Sequence, residues 1–262
     1  MWPSVRDNFQ KFSSTFEGYV PFMYLDVKGL VTTGMGNLID SIADAQALPW
    51  YKPDGTKASA NEIGAAWSLV KGRQDMKLQG GGHFSGITDL RLHDDGIQQL
   101  INSKLNANET ILVKRFPGYP AWPADAQMGL QSMAWAMGAN FNFPSFQAAV
   151  NTLVPDFTTA AKQSHMNDVG NPGLVPRNAA NFLLFTNAQS ALDNNLPHDV
   201  LQWSQGLATA VAAAIAPAQA AAQAADDVLG AAAKIPTPIK AIVGGVLFVL
   251  GAGFTIWAAK KG

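Results

Sequence analysis

Three polar residues near the amino end have types and a spacing suited to acid-catalysed chemistry. Asp26 lies nine residues after Glu17, and Thr32 lies six residues after Asp26, directly before the glycine-rich run 33–36. Cleavage of a glycosidic bond needs one protonated carboxyl group and one charged carboxyl group, held on opposite sides of the bond. Glu17 and Asp26 are therefore candidates for these two roles.

The two carboxyl groups are expected in different environments. Glu17 falls in the last turn of a predicted helix beside Phe16, where the helix dipole and an apolar neighbour both favour the protonated form. Asp26 falls at a hairpin end beside Lys28, whose charge favours the carboxylate. Thr32, across the hairpin, has a hydroxyl that can both donate and accept, which suits it to hold a water molecule in line with Asp26. The pattern predicts Glu17 as the acid, with Asp26 and Thr32 positioning water.

A helix and a hairpin are the elements that must position these residues. Apolar residues at intervals of four, three and four predict an amphipathic helix over residues 3–17; they are Val5, Phe9, Phe12 and Phe16. Two β-rich runs, 22–26 and 30–33, flank a Val-Lys-Gly turn and predict a hairpin. Further helices are predicted over 59–76, from 94 to the proline-rich segment 117–123, over 124–137, over 146–154 and over 176–185. One hairpin among many helices predicts an α+β fold that is mainly helical.

The carboxyl end has the character of a membrane segment. Residues 241–259 form a run of nineteen without a charge, close to the roughly 20 that span a bilayer core. Lys240 precedes the run, Lys260 and Lys261 follow it, and Trp257 lies where an aromatic ring would meet the headgroups. The alternative is a buried core helix, although the glycines in this run weaken a soluble helix more than a membrane one. The run predicts a single transmembrane helix, and flanking lysines at both ends leave its orientation open.

Composition divides the chain into four predicted parts. Residues 1–206 form a globular domain, 207–238 an alanine-rich helical stalk, 239–259 the transmembrane helix and 260–262 a basic tail. The stalk has few large apolar residues and so can bury little; a disordered linker is its alternative. The amino terminus has no apolar segment of the kind that signal peptides carry, so export is expected to use another route.

Charge and residue content exclude several classes of function. The chain has 18 basic and 19 acidic residues and no long basic run, which argues against nucleic-acid binding. It has no cysteine, so disulfide frameworks and thiolate zinc sites are excluded. The four histidines show no metal-ligand spacing. We therefore expect no metal and no cofactor. Tyr119 and Trp122 lie in a proline-rich loop, where they either stack on a sugar or pack in the interior.

The amino-terminal motif resembles the active-site segment of a known enzyme family. The sequence Phe-Glu-Gly at 16–18, Tyr-Leu-Asp at 24–26 and the run 29–38 match, without a gap, the phage-type lysozymes of glycoside hydrolase family 24. The segment 127–138 and the Gly-Leu-Val-Pro-Arg element at 173–177 are similar to a core helix and a later element of that family. Asn37 and Asn178 depart from the family pattern at positions that look structural, and the region 39–90 is longer than a minimal member needs.

The resemblance implies a fold and a set of roles. It implies a two-lobed domain, with a small hairpin lobe joined by a long helix to a helical lobe. It also implies Glu17 as general acid, Asp26 as second carboxylate, Thr32 as the residue that helps to position water, and Gly36 and Leu38 on the cleft wall as substrate-binding residues. The expected substrate is peptidoglycan, cut between N-acetylmuramic acid and N-acetylglucosamine. Water held by Asp26 and Thr32 predicts an inverting mechanism.

The membrane helix predicts the setting of this activity, and several alternatives remain open. We expect the catalytic domain to face the periplasm and cell wall, with the lipid bilayer as a partner. A phage virion protein that opens the wall during genome delivery, together with other virion proteins, fits this arrangement. The alternatives are a lytic transglycosylase, a lysis-stage endolysin, a bacterial antagonism toxin, and a non-catalytic virion membrane protein with a lysozyme-like domain.

Overall fold

Helices make up most of the part of the chain that the structure describes, and two small antiparallel sheets accompany them there. A computed structural model describes residues 1–171 and 173–203, so the predicted stalk, transmembrane helix and basic tail lie outside the described residues. The helices within that part are α1 (Pro3–Glu17), α2 (Ile42–Gln46), α3 (Ala60–Gly72), α4 (Asp94–Arg115), α5 (Ala124–Met137), α6 (Pro144–Val150), α7 (Phe157–Gln163) and α8 (Leu174–Asp193). The strands are β1 (Val20–Leu25), β2 (Val31–Gly34), β3 (Asn37–Leu38), β4 (Trp50–Tyr51) and β5 (Arg91–Leu92). The structure is thus α+β and mainly helical, as predicted.

The first helix has the predicted bounds because local chemistry fixes both of its ends. Pro3 occupies the first helical position, where the missing N–H has no intrahelical partner. Gly18 follows Glu17 with a φ of +70°, a backbone conformation that glycine adopts without strain. The apolar stripe faces the core, and Phe9 and Phe12 are fully buried. Glu17 therefore lies at the point where α1 stops and the chain enters β1.

The predicted hairpin gains a third strand. β1 pairs antiparallel with β2, and β2 pairs antiparallel with β3. In this register Tyr24 lies opposite Thr32, and Thr32 lies opposite Leu38. Residues directly opposite each other point to the same face of a sheet. One row of side chains therefore crosses all three strands from Tyr24 to Leu38.

A second sheet was not predicted. β4 pairs antiparallel with β5, with Trp50 opposite Leu92. Each strand has only two residues, which is too short to produce an alternating pattern. The helices α2 and α7 were not predicted either, since five and seven residues show little of the 3.6-residue helical period.

The helix after Ser59 has the predicted capping box but is shorter than predicted. The Ser59 side chain accepts from the Glu62 amide, and the Glu62 carboxylate accepts from the Ser59 amide. The helix ends at Gly72, whereas the sequence predicted about Met76. Arg73 leaves the helical conformation, and Gln74–Met76 forms a separate 3₁₀ turn. A terminal glycine weakens the last helical turn, which accounts for the early end.

Two later helices also differ from prediction. α8 begins at Leu174, two residues before Pro176, and continues past the expected end at Phe185. A proline fits the first turn because amides there have no intrahelical acceptor. α6 ends at Val150 instead of 154, because Asn151 already leaves the helical conformation, with φ −90° and ψ +41°.

Two hydrophobic clusters form the core, and α4, α5 and α8 contribute to both. The first cluster joins α1, the strands, α3 and the first half of α4 with residues of α5 and α8. The second joins the end of α4 with α5, α6, α7 and α8, and it includes Tyr119 and Trp122. Both of these aromatic side chains are buried, so they pack in the interior and are not open to a sugar. Nearly every residue of α5 is buried, which places this helix at the centre of the described chain.

The last described residues are held against α1 and α5. Asp125, in the first turn of α5, is buried and accepts hydrogen bonds from Asn187 Nδ2 (2.9 Å) and from the Gln202 amide (2.6 Å). Burial raises the pKa of Asp125, and these hydrogen bonds act against that rise. Trp203 packs edge-on against Phe12 of α1, with ring centres 5.2 Å apart. The segment that follows α8 is therefore fixed to the helix that carries Glu17.

Candidate active site

Glu17 is paired with an arginine from the far end of the domain. The Glu17 carboxylate contacts the guanidinium of Arg177, in the first turn of α8 and 160 residues later in the chain. The other terminal nitrogen of Arg177 lies 3.3 Å from both the carbonyl oxygen and the hydroxyl of Ser132 on α5. The Arg177 side chain is 2% exposed, whereas that of Glu17 is 25% exposed. Arg177 thus links α1, α5 and α8 and leaves Glu17 open to solvent.

The arginine adds a charge to the surroundings of Glu17 that the sequence did not indicate. Burial lowers the pKa of Arg177, and the charge of Glu17 acts against that shift. The sequence placed only the helix end and Phe16 beside Glu17, and the fold adds the guanidinium from α8. Phe16 is itself in contact with the arginine, since the guanidinium carbon lies 4.8 Å from the centre of its ring.

A lysine from α4 adds a second cation near this pair. Lys104 Nζ lies 4.0 Å from the ring centre of Trp135, which follows Ser132 by one helical turn on α5. Residues three apart on a helix share a face, so Lys104 and Arg177 contact the same side of α5. Burial lowers the pKa of Lys104 to about 8; Glu17 raises it and Arg177 lowers it further. No carboxylate of the described residues lies within 4.0 Å of its ammonium group.

The buried ammonium group gives a stability prediction. The pKa of Lys104 is about 8 in the folded chain, whereas the ordinary value is 10.5. Between pH 8 and pH 10.5 the unfolded chain therefore binds more protons than the folded chain, and the free energy of unfolding rises with pH. Lys104→Met should therefore raise the unfolding free energy at pH 7 by about 1 kcal/mol and abolish this rise. Urea unfolding of the wild type and the variant at pH 7 and pH 10 measures both effects. Lys114→Met, at an exposed position of the same helix, is the control and should show neither. A destabilised Lys104→Met protein at pH 7 would contradict the prediction.

Tyr24 connects the surroundings of Glu17 and Asp26. Burial raises the pKa of Tyr24 to about 12, and the charges of Glu17 and then Asp26 contribute to the rise. Its hydroxyl group therefore lies in the field of both carboxylates. Thr32, directly opposite on β2, points to the same face of the sheet. Tyr24 was quoted in the sequence motif but was given no role there.

Asp26 begins the turn between β1 and β2 and is fixed by the backbone of that turn. Its Oδ1 accepts hydrogen bonds from the amides of Lys28 (2.8 Å) and Leu30 (2.9 Å). Within the described residues no hydrogen bond reaches Oδ2. One carboxylate oxygen is thus used to hold the turn, and the other is free to accept a proton from water.

The remaining predicted site residues lie around this sheet. The Thr32 hydroxyl is nearly buried and donates to the Leu30 carbonyl at 3.2 Å, which leaves its oxygen able to accept. Gly36 has a φ of +73°, and a Cβ built there would stand 3.7 Å from Glu17 Oε2. Leu38, at the end of the row that contains Thr32, is 60% exposed. The structure therefore places Gly36 against the Glu17 carboxylate and Leu38 on the same face as Thr32.

The two asparagines that depart from the family pattern have structural contacts. Asn37 Oδ1 accepts from the Met35 amide at 3.1 Å and so closes the turn between β2 and β3. Asn178 exchanges hydrogen bonds with both backbone groups of Met166, at 2.9 and 2.8 Å. Asn37 thus stabilises a turn, Asn178 fixes the segment around Met166 to α8, and neither side chain hydrogen-bonds to Glu17.

Metal-ligating side chains are not grouped in the part of the chain that the structure describes. No three of its His, Asp and Glu side chains lie close enough together to hold a metal ion. Among the same residues, none of the helices combines the length and the apolar character that crossing a bilayer requires.

The residues that the sequence reasoning missed are Arg177, Ser132 and Lys104. Arg177 had a signal, because the Gly-Leu-Val-Pro-Arg element that ends with it was noticed but was not connected with Glu17. Ser132 and Lys104 had none, since each lies within an ordinary helical pattern. Compared with known proteins, the chain matches no protein-family model, and no curated protein matches it significantly.

Proposed function

We propose that this chain is a peptidoglycan hydrolase of the phage-type lysozyme class, which cleaves the β-1,4 bond between N-acetylmuramic acid and N-acetylglucosamine. The proposal rests mainly on the sheet that joins the candidate residues: a Cβ at Gly36 would stand 3.7 Å from Glu17 Oε2, Thr32 lies opposite Tyr24, and Asp26 directly follows β1. Two carboxyl groups with different surroundings next to one exposed surface are what an acid and a base in glycoside cleavage require. In this proposal the two hydrophobic clusters correspond to the two lobes of such an enzyme.

Glu17 acts as the general acid. Its side chain is partly exposed and takes up a proton from solvent, which it then donates to the oxygen of the leaving sugar. Arg177 holds the carboxyl group in one orientation, because the guanidinium is itself fixed by Ser132. Gly36 has no side chain to stand between Glu17 and the sugar.

Asp26 and Thr32 direct the water molecule. Water attacks the anomeric carbon as the bond to the leaving oxygen breaks, and Asp26 Oδ2 accepts its proton. The Thr32 oxygen accepts a second hydrogen bond from the same water, since its own proton is bound to the Leu30 carbonyl. The new reducing end is an N-acetylmuramic acid with inverted anomeric configuration, and Leu38 contacts the sugar from the cleft wall.

The product of wall digestion tests this scheme. We expect purified full-length protein to release fragments with a reducing N-acetylmuramic acid end, and the first-formed anomer to be inverted. Mass spectrometry of the digested wall identifies the end group, and NMR during the first turnovers identifies the anomer. Anhydro-sugar ends would instead indicate a lytic transglycosylase, and net retention would contradict the attack by water.

The cellular setting is proposed from the sequence. The alanine-rich segment and the apolar run near the carboxyl end would tether the enzyme to a membrane with the catalytic domain facing the wall. A phage virion protein that opens the wall during genome delivery fits this arrangement. The presence of the protein in purified particles would separate this setting from a lysis-stage enzyme.

A further inference from the structure

The turn that carries Asp26 is closed from within by its own backbone. The Asp26 amide donates to the Leu30 carbonyl at 3.0 Å, and the Gly29 amide donates to the Asp26 carbonyl at 2.8 Å. Together with the two hydrogen bonds to Asp26 Oδ1, these contacts satisfy the inward-facing groups of the turn. The Gly29 carbonyl is not used by any of them.

Two side chains from outside the turn bind that carbonyl. Lys71 Nζ, in the last turn of α3, and Gln74 Nε2, just after it, each donate to the Gly29 oxygen at 3.1 Å. Gly29 is buried with a φ of +79°, and a Cβ there would collide with Gln74 Oε1. The turn is thus packed against the end of α3, and its left-handed backbone at Gly29 favours glycine.

Lys71 connects the turn to β2 through a second residue. Its ammonium group lies 2.7 and 2.9 Å from the two carboxylate oxygens of Asp40, and Asp40 Oδ1 accepts from the Val31 amide at 2.8 Å. Burial alone would raise the pKa of Asp40, but the hydrogen bonds from Lys71 and Val31 outweigh it and lower the pKa below its ordinary value. Asp40 is therefore a charged link between Lys71 and the first residue of β2.

α3 also holds the chain beyond the sheet. Trp67, one helical turn before Lys71, donates from its indole nitrogen to the Ile39 carbonyl at 2.8 Å. All of these supporting side chains belong to the region 39–90, which is longer than a minimal lysozyme-like chain requires. The extra region thus lies behind the hairpin that presents Asp26.

We propose that Lys71 and Gln74 are positioning residues for Asp26, acting through the Gly29 carbonyl. This inference rests on the proposed function, in which Asp26 receives the proton of the attacking water. A misplacement of about 1 Å in a catalytic group can cost about 10²-fold in rate, although substrate contacts elsewhere are unchanged. Loss of the support should therefore lower kcat much more than it changes KM.

The experiment compares four variants in the full-length protein. Lys71→Met and Gln74→Ala should each lower kcat on peptidoglycan about 10- to 100-fold with KM changed less than about threefold. Lys71→Arg, which can still donate to both Gly29 and Asp40, should recover most of the activity. Ser59→Ala removes the amino-terminal cap of the same helix without touching the turn, and it should keep kcat near the wild-type value.

Hydrogen exchange tests the support independently of activity. The amides of Asp26 and Leu30 should exchange faster in Lys71→Met and Gln74→Ala than in the wild type, and Ser59→Ala should leave them unchanged. The inference would be overturned if these two amides exchanged at the wild-type rate in both Lys71→Met and Gln74→Ala. It would also be overturned if they exchanged faster while kcat stayed at the wild-type value. If the wild type cleaves no peptidoglycan, the proposed function fails, and with it the catalytic role of the two residues. The exchange data would then still decide whether they support the turn.

Discussion

Glu17→Gln should lower the rate of peptidoglycan cleavage by about 10³-fold or more while the protein stays folded. General acid catalysis by a positioned carboxyl group contributes about 10²- to 10⁴-fold, and an amide has no acidic proton to give. The substitution conserves shape and keeps a carbonyl oxygen that Arg177 can donate to, so the buried guanidinium retains an acceptor. The release of reducing ends measures the activity, and circular dichroism with thermal unfolding measures the fold.

The chain offers a matched control for this substitution. It has only three glutamates, and Glu62 is exposed in the capping box of α3. Glutamine serves in a capping box as glutamate does, so Glu62→Gln should be active within about twofold of the wild type. A Glu17→Gln protein that retains a tenth of the wild-type rate would refute the role of Glu17 as acid.

Arg177→Met should damage both stability and activity. Removal of one member of a buried ion pair costs about 3–5 kcal/mol, and we expect about 3 kcal/mol because Glu17 is partly reached by water. The carbonyl and hydroxyl oxygens of Ser132 also lose the donor that Arg177 supplies. Glu17 is then no longer held in one orientation, so kcat should fall about 10²-fold. Urea unfolding and steady-state kinetics measure the two losses.

A lysine at this position separates the charge of Arg177 from its geometry. Arg177→Lys keeps the charge but cannot reach Ser132 and Glu17 with two separate nitrogens. It should therefore lose about half as much stability as Arg177→Met, and its kcat should still fall at least about 10-fold because Glu17 is no longer held in one orientation. A wild-type kcat in Arg177→Lys would show that the charge of Arg177, and not its fixed geometry, supports Glu17.

Local sequence chemistry was sufficient to predict the elements that carry the site. Both ends of α1 follow from the apolar stripe, Pro3 and Gly18, and α5 has the predicted bounds between Ala124 and Met137. The hairpin follows from its turn residues and β-rich flanks, although its third strand has only two residues and gives no period of its own. These features depend on neighbours within a few positions, which a single sequence displays directly.

The contacts that hold the candidate site depend on packing between distant segments. Glu17 and Arg177 are 160 residues apart, and nothing in their local patterns relates one to the other. The residues next to Glu17 in the sequence indicate its own helix end and Phe16, but not the cation from α8. In the same way, nothing in the local pattern around Lys71 indicates that the fold places its ammonium group against the Gly29 carbonyl. Long-range partners of this kind appear only once the helices are packed.

The attachment of the last described residues has a mechanical consequence. Gln202 is bound to a buried carboxylate on α5, and Trp203 packs against Phe12, whose ring centre is 5.2 Å from that of Phe16. Tension applied beyond Trp203 is therefore received by the interior of the domain, one residue from Glu17, and not by a loose terminal strand. An enzyme pulled by a tether at this end would transmit the pull to the same helix that presents its acid to the wall.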